Sequence, residues 1–231
     1  MGIKVMIPYF PHISGKDMFK FLLSVALAAI LALAPIPVAA RPLPSVQPIQ
    51  YQGRTFCTVF SIDKDRGYFA SAGHCAFFVL ERDLNGKVTI LGTPATIEMI
   101  GLQYDVAVFH ADVRIPALKL AGKSPEVCDP KKPEVCEIVS IQGFPYGLPR
   151  LITVTGHMAA RAVPILHPSY DIVMPSDILD ITVAGGNSGS PVFNGRGEVI
   201  GILWGRFTQS PHSLSIPLEA VRAAMLGYFE D

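Results

Sequence analysis

Three short stretches carry residues that could do chemistry together. In Gly186-Asn187-Ser188-Gly189-Ser190-Pro191 a serine is framed by glycines, just ahead of the apolar run Pro191-Val192-Phe193. Gly186 and Gly189 accept backbone angles that residues with a Cβ resist, and they let another main chain come close. Such a turn presents one hydroxyl and aims the N–H groups of Gly186 and Ser188 at a point beside it, where an oxyanion would form. Upstream, Ser71-Ala72-Gly73-His74-Cys75 places a histidine at the end of an expected strand. Tyr104-Asp105-Val106-Ala107-Val108-Phe109 places an aspartate at the mouth of an apolar strand. A serine hydroxyl is a poor nucleophile until a base within hydrogen-bond reach takes its proton. A carboxylate on the base's other nitrogen fixes its tautomer and favours the imidazolium. The expected roles are Ser188 as nucleophile, His74 as base and then acid, and Asp105 as its partner. The chemistry is acyl transfer, and it requires no metal and no cofactor.

Each residue has competitors. Asp83, Asp112 and Asp180 are alternative carboxylates, of which Asp180 lies too close in sequence to Ser188. Ser190 is a weaker nucleophile because Pro191 follows it and no glycine pair frames its N–H. His110, His157, His167 and His212 read as surface or packing residues, with His157 the one placed to line a cleft. A lone Gly-Asn-Ser-Gly is usually an ordinary turn; the three motifs together complete the logic of a site.

The elements that must position these groups are short β-strands. Runs at Thr55–Ile62, Gly67–Ala72, Lys87–Leu91, Thr96–Ile100 and Asp105–Phe109 form a first set, with Asn85-Gly86 a strong turn signal. A second set comprises Glu137–Gln142, Leu151–His157, Tyr170–Met174, Leu179–Val183, Pro191–Phe193 and Glu198–Trp204. Strands at this spacing predict an all-β sandwich or barrel. Residues 122–133 have little apolar periodicity and read as the connection between two halves. Residues 217–228 have helical spacing of apolar positions. Pro217 suits a first helical turn and Ser215 an N-cap. The expected architecture is two antiparallel β-barrels, at about 51–121 and 134–216, and a C-terminal α-helix.

Half of the 231 residues are apolar and only 16% are charged, with no net formal charge. That excludes a disordered chain and leaves no electrostatic footprint for nucleic acid. Lys16 and Lys20 precede an apolar run over 21–34 and then Val38-Ala39-Ala40, the pattern of an export signal cleaved after Ala40. Met18 is a possible start. The run is short for a membrane span, so no stable membrane association is expected after cleavage. Residues 41–50 read as a linker or short propeptide, and 51–231 as the folded domain. Four cysteines in an exported chain imply disulfides, with three possible connectivities. Cys57 with Cys75 and Cys128 with Cys136 is the favoured set. Zinc ligation is not expected, because no Cys-x-x-Cys pair exists.

With these residues the chain resembles the chymotrypsin-like serine peptidases, and within them the bacterial glutamyl-endopeptidase-like branch. The order His74, Asp105, Ser188 is that of the family. The resemblance also rests on residues 185–194, on Val199-Ile200-Gly201-Ile202-Leu203-Trp204-Gly205, and on Gln142-Gly143-Phe144-Pro145-Tyr146-Gly147. It covers roughly residues 50–230 and implies two six-stranded barrels with a cleft between them. It also implies a monomeric, secreted or periplasmic endopeptidase with a polypeptide substrate. Thr182, Val183, Ala184, Leu203, Trp204 and Gly205 would surround the primary specificity pocket. Asn187 stands where digestive relatives carry an aspartate, so activation by an ammonium–carboxylate pair is not expected. Leu203 stands where glutamate-preferring relatives carry a histidine and cannot solvate a carboxylate; Arg206 could pair with one instead. A non-catalytic binding module on the same fold, or an esterase, are the alternatives.

Overall fold

The computed structural model describes residues 44–129, 131–132, 136–226 and 228. The expected export signal and the first residues of the expected linker lie outside them. Described residues from 44 onward belong to one compact unit. The chain is mostly β. Strands β1 (Val46–Tyr51), β2 (Arg54–Asp63), β3 (Tyr68–Ala72), β4 (Val88–Ile90), β5 (Thr93–Gly101) and β6 (Val106–Ala111) make the first half. They pair antiparallel in the order β1-β2-β3-β6-β5-β4, and Ile49 opposite Ile90 closes the barrel. Register shifts at Ile49/Gln50 and Ile97/Met99 bend the strands, as closure requires. Phe60, Phe69 and Phe109 are all fully buried in one core cluster, with Phe69 opposite Phe109 on the face of the sheet away from Phe60. Burying each such ring contributes roughly 2–3 kcal/mol.

The second half comprises β7 (Ile138–Gly143), β8 (Ile152–His167), β9 (Ile172–Leu179), β10 (Pro191–Phe193), β11 (Val199–Arg206) and β12 (Ser213–Pro217). These form a second ring in the order β10-β11-β12-β9-β8-β7, with Val192 opposite Ile141. Val139, Ile141, Met158, Leu179, Val192 and Ile200 pack in its core. Two helices complete the described chain, α1 (Gly73–Glu81) and α2 (Leu218–Ala224). No helix among the described residues is long and apolar enough to cross a membrane.

Several local expectations need correction. β1 begins at Val46, inside the segment read as a linker: its proline lowers strand propensity, but pairing with β2 and β4 overrides that. His74 does not end a strand; β3 stops at Ala72 and His74 sits in the first turn of α1. β8 continues ten residues past its expected end, and β9 is one strand over Ile172–Leu179 rather than two pieces. Ser215 is not an N-cap but a residue of β12, and the cap position is Pro217, with no side-chain cap.

Candidate active site

The register of β3 on β6 brings two of the three groups together. Ala72 pairs with Val106, so the residues just after β3 and just before β6 emerge at one edge of the first barrel. There the N–H of Gly73 donates to the Asp105 carbonyl at 2.7 Å. The N–H of His74 donates to Asp105 Oδ1 at 2.6 Å, and His74 Nδ1 lies 2.9 Å from Asp105 Oδ2. Asp105 has φ of 52°, a left-handed conformation that Asp tolerates better than most residues. Its carboxylate is fully buried, whereas the His74 side chain is 27% exposed.

Ser188 sits in the turn between the loop after β9 and β10. The Gly189 N–H donates to the Leu203 carbonyl at 2.8 Å and the Ser190 N–H to the Asn187 carbonyl at 2.9 Å. Gly186 and Gly189 both have positive φ, and a Cβ on Gly189 would lie 2.2 Å from the Thr58 carbonyl oxygen. Thr58, on β2, fastens the turn to the first barrel. Its N–H donates to the Ser188 carbonyl at 2.8 Å, and its hydroxyl donates to the Gly186 carbonyl at 2.8 Å. Among the described residues, the N–H groups of Gly186 and Ser188 donate to no protein acceptor. His74 and Ser188 line the same cleft of about 460 Å³, with Phe56, Phe77, Phe78 and Tyr170 on its walls. That cleft brings an imidazole and a serine from the two halves to one region.

The competitors lie elsewhere. Asp83 pairs with Lys87, Asp112 with Arg114, and Asp180 with His157. The side chain of Ser190 is wholly buried. Of the residues expected around the specificity pocket, Val183 and Leu203 pack in the core of the second ring. Thr182 is exposed and its hydroxyl donates to the Pro211 carbonyl at 3.3 Å, and Ala184 is half-buried. Trp204, Gly205 and the exposed Arg206 line a second cleft on another side of His74, of about 440 Å³. Cys57 is joined to Cys75 and Cys128 to Cys136, the favoured pairing.

One residue at the site was not expected there. His167, the last residue of β8, was read as surface or packing. It is 2% exposed, with its Nε2 3.5 Å from Asp105 Oδ2. Tyr170 follows in the same loop, its hydroxyl donating to Asp105 Oδ1 at 3.4 Å. Nothing local in His167-Pro168-Ser169-Tyr170 signals this, because the contact depends on how far β8 extends. Burial pushes the Asp105 carboxyl up, but hydrogen bonds from His167 and His74 outweigh it and hold it below its usual range. Burial, and then the nearby Asp105 charge, push the Tyr170 phenol well up. Candidate ligand atoms of His74, Asp105 and His167 all lie within 4.8 Å of one another, as do those of Cys57, His74 and Cys75. The two cysteines are spent in their disulfide. A cation among the other three would have to displace the protons of their hydrogen bonds.

Residues 57–202 match the family model described as a trypsin-like peptidase domain. A probable periplasmic serine endoprotease of the DegP-like kind from Halomonas elongata is 30% identical over 190 residues, covering 76% of this chain and 35% of that protein. A glutamyl endopeptidase of Staphylococcus aureus is 43% identical over 58 residues, 23% of this chain and 18% of the relative. The chain thus spans only a minor part of the length of these curated relatives. The crystal structure of the Rv3671c protease from M. tuberculosis, active form, superposes with a TM-score of 0.61 at 18% identity, covering 84% of this chain and 85% of that one. At that identity the likeness is one of fold.

Proposed function

This chain belongs to the trypsin-like peptidase family, and on that footing we propose that it is a serine endopeptidase with Ser188, His74 and Asp105 as its triad. The observation that carries the reading is the pairing of His74 with a buried Asp105, on a cleft that Ser188 also lines. In the reaction, His74 takes the Ser188 proton as the hydroxyl attacks the scissile carbonyl, then passes it to the leaving amine. Asp105 holds the imidazole with its donor nitrogen turned inward and offsets the positive charge that develops on the ring. The free N–H groups of Gly186 and Ser188 receive the oxyanion, each contributing about 3–4 kcal/mol when well placed. Water then hydrolyses the acyl-enzyme by the same proton path in reverse.

On this reading the second ring is the second barrel of a chymotrypsin-like fold, and the peptidase domain starts at β1. The substrate is a polypeptide that pairs its main chain along the Gly205 edge of β11, and the enzyme acts as a monomer outside the cytoplasm. Two disulfides in the chain and the periplasmic names of the DegP-like relatives support that location.

The test is Ser188→Ala. Peptide hydrolysis should fall by about 10⁴–10⁶-fold with the fold intact, and a fluorophosphonate should label the unaltered protein at Ser188 and not the variant. Near-normal peptide turnover in the variant would overturn the assignment. Labelling with ester but no peptide turnover would make the protein an esterase, and neither would make it a binding module.

A further inference from the structure

Asp105 has more donors than one base supplies. A carboxylate has about four lone-pair sites, and here each faces a donor. Oδ1 accepts from the His74 N–H at 2.6 Å and from the Tyr170 hydroxyl at 3.4 Å. Oδ2 faces His74 Nδ1 at 2.9 Å and His167 Nε2 at 3.5 Å. The tautomer of His167 follows from its other nitrogen. The N–H of Ser169 donates to His167 Nδ1 at 3.2 Å, so that nitrogen holds a lone pair and the ring proton sits on Nε2, aimed at Asp105. The ring cannot turn away. It stacks on Tyr170 with centroids 4.3 Å apart at 7°, and leans on Trp204 at 4.8 Å.

We propose that His167 is a positioning residue for the catalytic base: from the second half of the molecule it holds the Asp105 carboxylate in the plane that keeps His74 oriented toward Ser188. This rests on the triad reading and deepens it. The connection from β8 to β9 thus brings two side chains, His167 and Tyr170, onto a carboxylate that belongs to the first barrel. Leu203 precedes Trp204 on β11 with an apolar, buried side chain and contributes no donor there. The charged and titratable groups around His167 are Asp105 before β6, His74 on α1, Tyr170 in its own loop, and Arg206 at the end of β11, which lines the same cleft. Glu81 on α1 faces Tyr170 across the other cleft.

Losing the His167 donor leaves more of the Asp105 charge to stabilise a protonated base, which moves the acid limb of kcat/KM to higher pH.

Two variants separate the hydrogen bond from the packing. His167→Phe keeps a stacking ring and removes the N–H, whereas His167→Gln keeps a donor near the Nε2 position. With thermal melts establishing that both fold, His167→Phe should lower kcat about tenfold, leave KM within about twofold, and raise the acid limb by about half a pH unit. His167→Gln should restore kcat to within about threefold of the original. A proton NMR spectrum of the resting enzyme adds a readout independent of turnover: the low-field resonance of the proton between His74 and Asp105 should shift in His167→Phe. Kinetics, pH profile and resonance all unchanged in His167→Phe would overturn the proposal, as would a folded His167→Gln no better than His167→Phe. Failure of the triad reading looks different, since the unaltered protein would then neither hydrolyse peptides nor take the fluorophosphonate at Ser188.

Discussion

Replacing Thr58 by valine removes one oxygen from the seam between the two halves and changes almost nothing in volume. Thr58 is fully buried, so packing is kept. Its hydroxyl donates to the Gly186 carbonyl at 2.8 Å and accepts from the Phe144 N–H at 3.3 Å. Phe144 is 6% exposed, so its N–H would stay buried without a partner, at a cost of about 1–3 kcal/mol. The Gly186 carbonyl is half-buried, and water can take over part of its bond, which limits that loss to about 1 kcal/mol. The sum, roughly 2–4 kcal/mol, sits inside a typical stability of about 5–15 kcal/mol, so the variant folds. Its melting temperature should drop by about 5–15 °C for a domain of this size. That carbonyl lies between the two proposed oxyanion donors, the N–H groups of Gly186 and Ser188, so kcat should fall at least about tenfold, because such donors act only when placed in advance. Urea unfolding without reductant measures the first effect, and peptide hydrolysis normalised to titrated active sites the second. Thr58→Ser keeps the hydroxyl and should stay within about 1 kcal/mol. If Thr58→Val unfolds within about 0.5 kcal/mol of the original and turns over at the same rate, the seam does not order the nucleophile turn as argued.

Two further perturbations read the structure independently. Asp177 is fully buried beside Arg161, with one carboxylate oxygen bonded to the Ala162 N–H at 2.9 Å and the other unpartnered. Burial, the largest influence, pushes its carboxyl up to about 6. The folded state therefore holds a proton that the unfolded chain releases near pH 4, so this contribution to stability is full below that pH and is lost as pH rises through about 6. The loss is on the order of 2–4 kcal/mol by unfolding measured between pH 4 and 7, and Asp177→Asn should flatten that slope; a slope unaltered in the variant would remove Asp177 from the account. Serine at both Cys57 and Cys75 opens a loop with a sequence separation of 18, costing about 3 kcal/mol in urea and lowering kcat because Cys75 follows His74 on α1. The Cys128–Cys136 pair, separated by 8, should cost less and leave kcat unchanged, and equal losses of activity from both pairs would refute the link to His74.

The types and order of His74, Asp105 and Ser188 were legible because each is marked by its immediate neighbours: a glycine before the histidine, an apolar run after the aspartate, glycines around the serine. Most strands were legible for the same local reason, the alternation and bounding turns of β2, β3, β6, β10 and β11. The misplaced elements were those whose stability is not local. β1 carries Pro48 and becomes a strand only by pairing with β2 and β4. β8 runs on through Pro164 because β9 pairs with it across register shifts at Met158/Ala160 and Ala160/Val163.

By itself the sequence marked the groups that could do the chemistry and favoured one of three cysteine pairings. Which groups meet was decided only by the tertiary structure. Ala72 opposite Val106 sets His74 against Asp105, Thr58 ties the serine turn to the first barrel, and the length of β8 carries His167 onto a carboxylate 62 residues away in the chain. The physical reason is that side-chain type is written residue by residue, whereas strand register and strand length follow from long-range pairing, whose energy no short window of sequence contains.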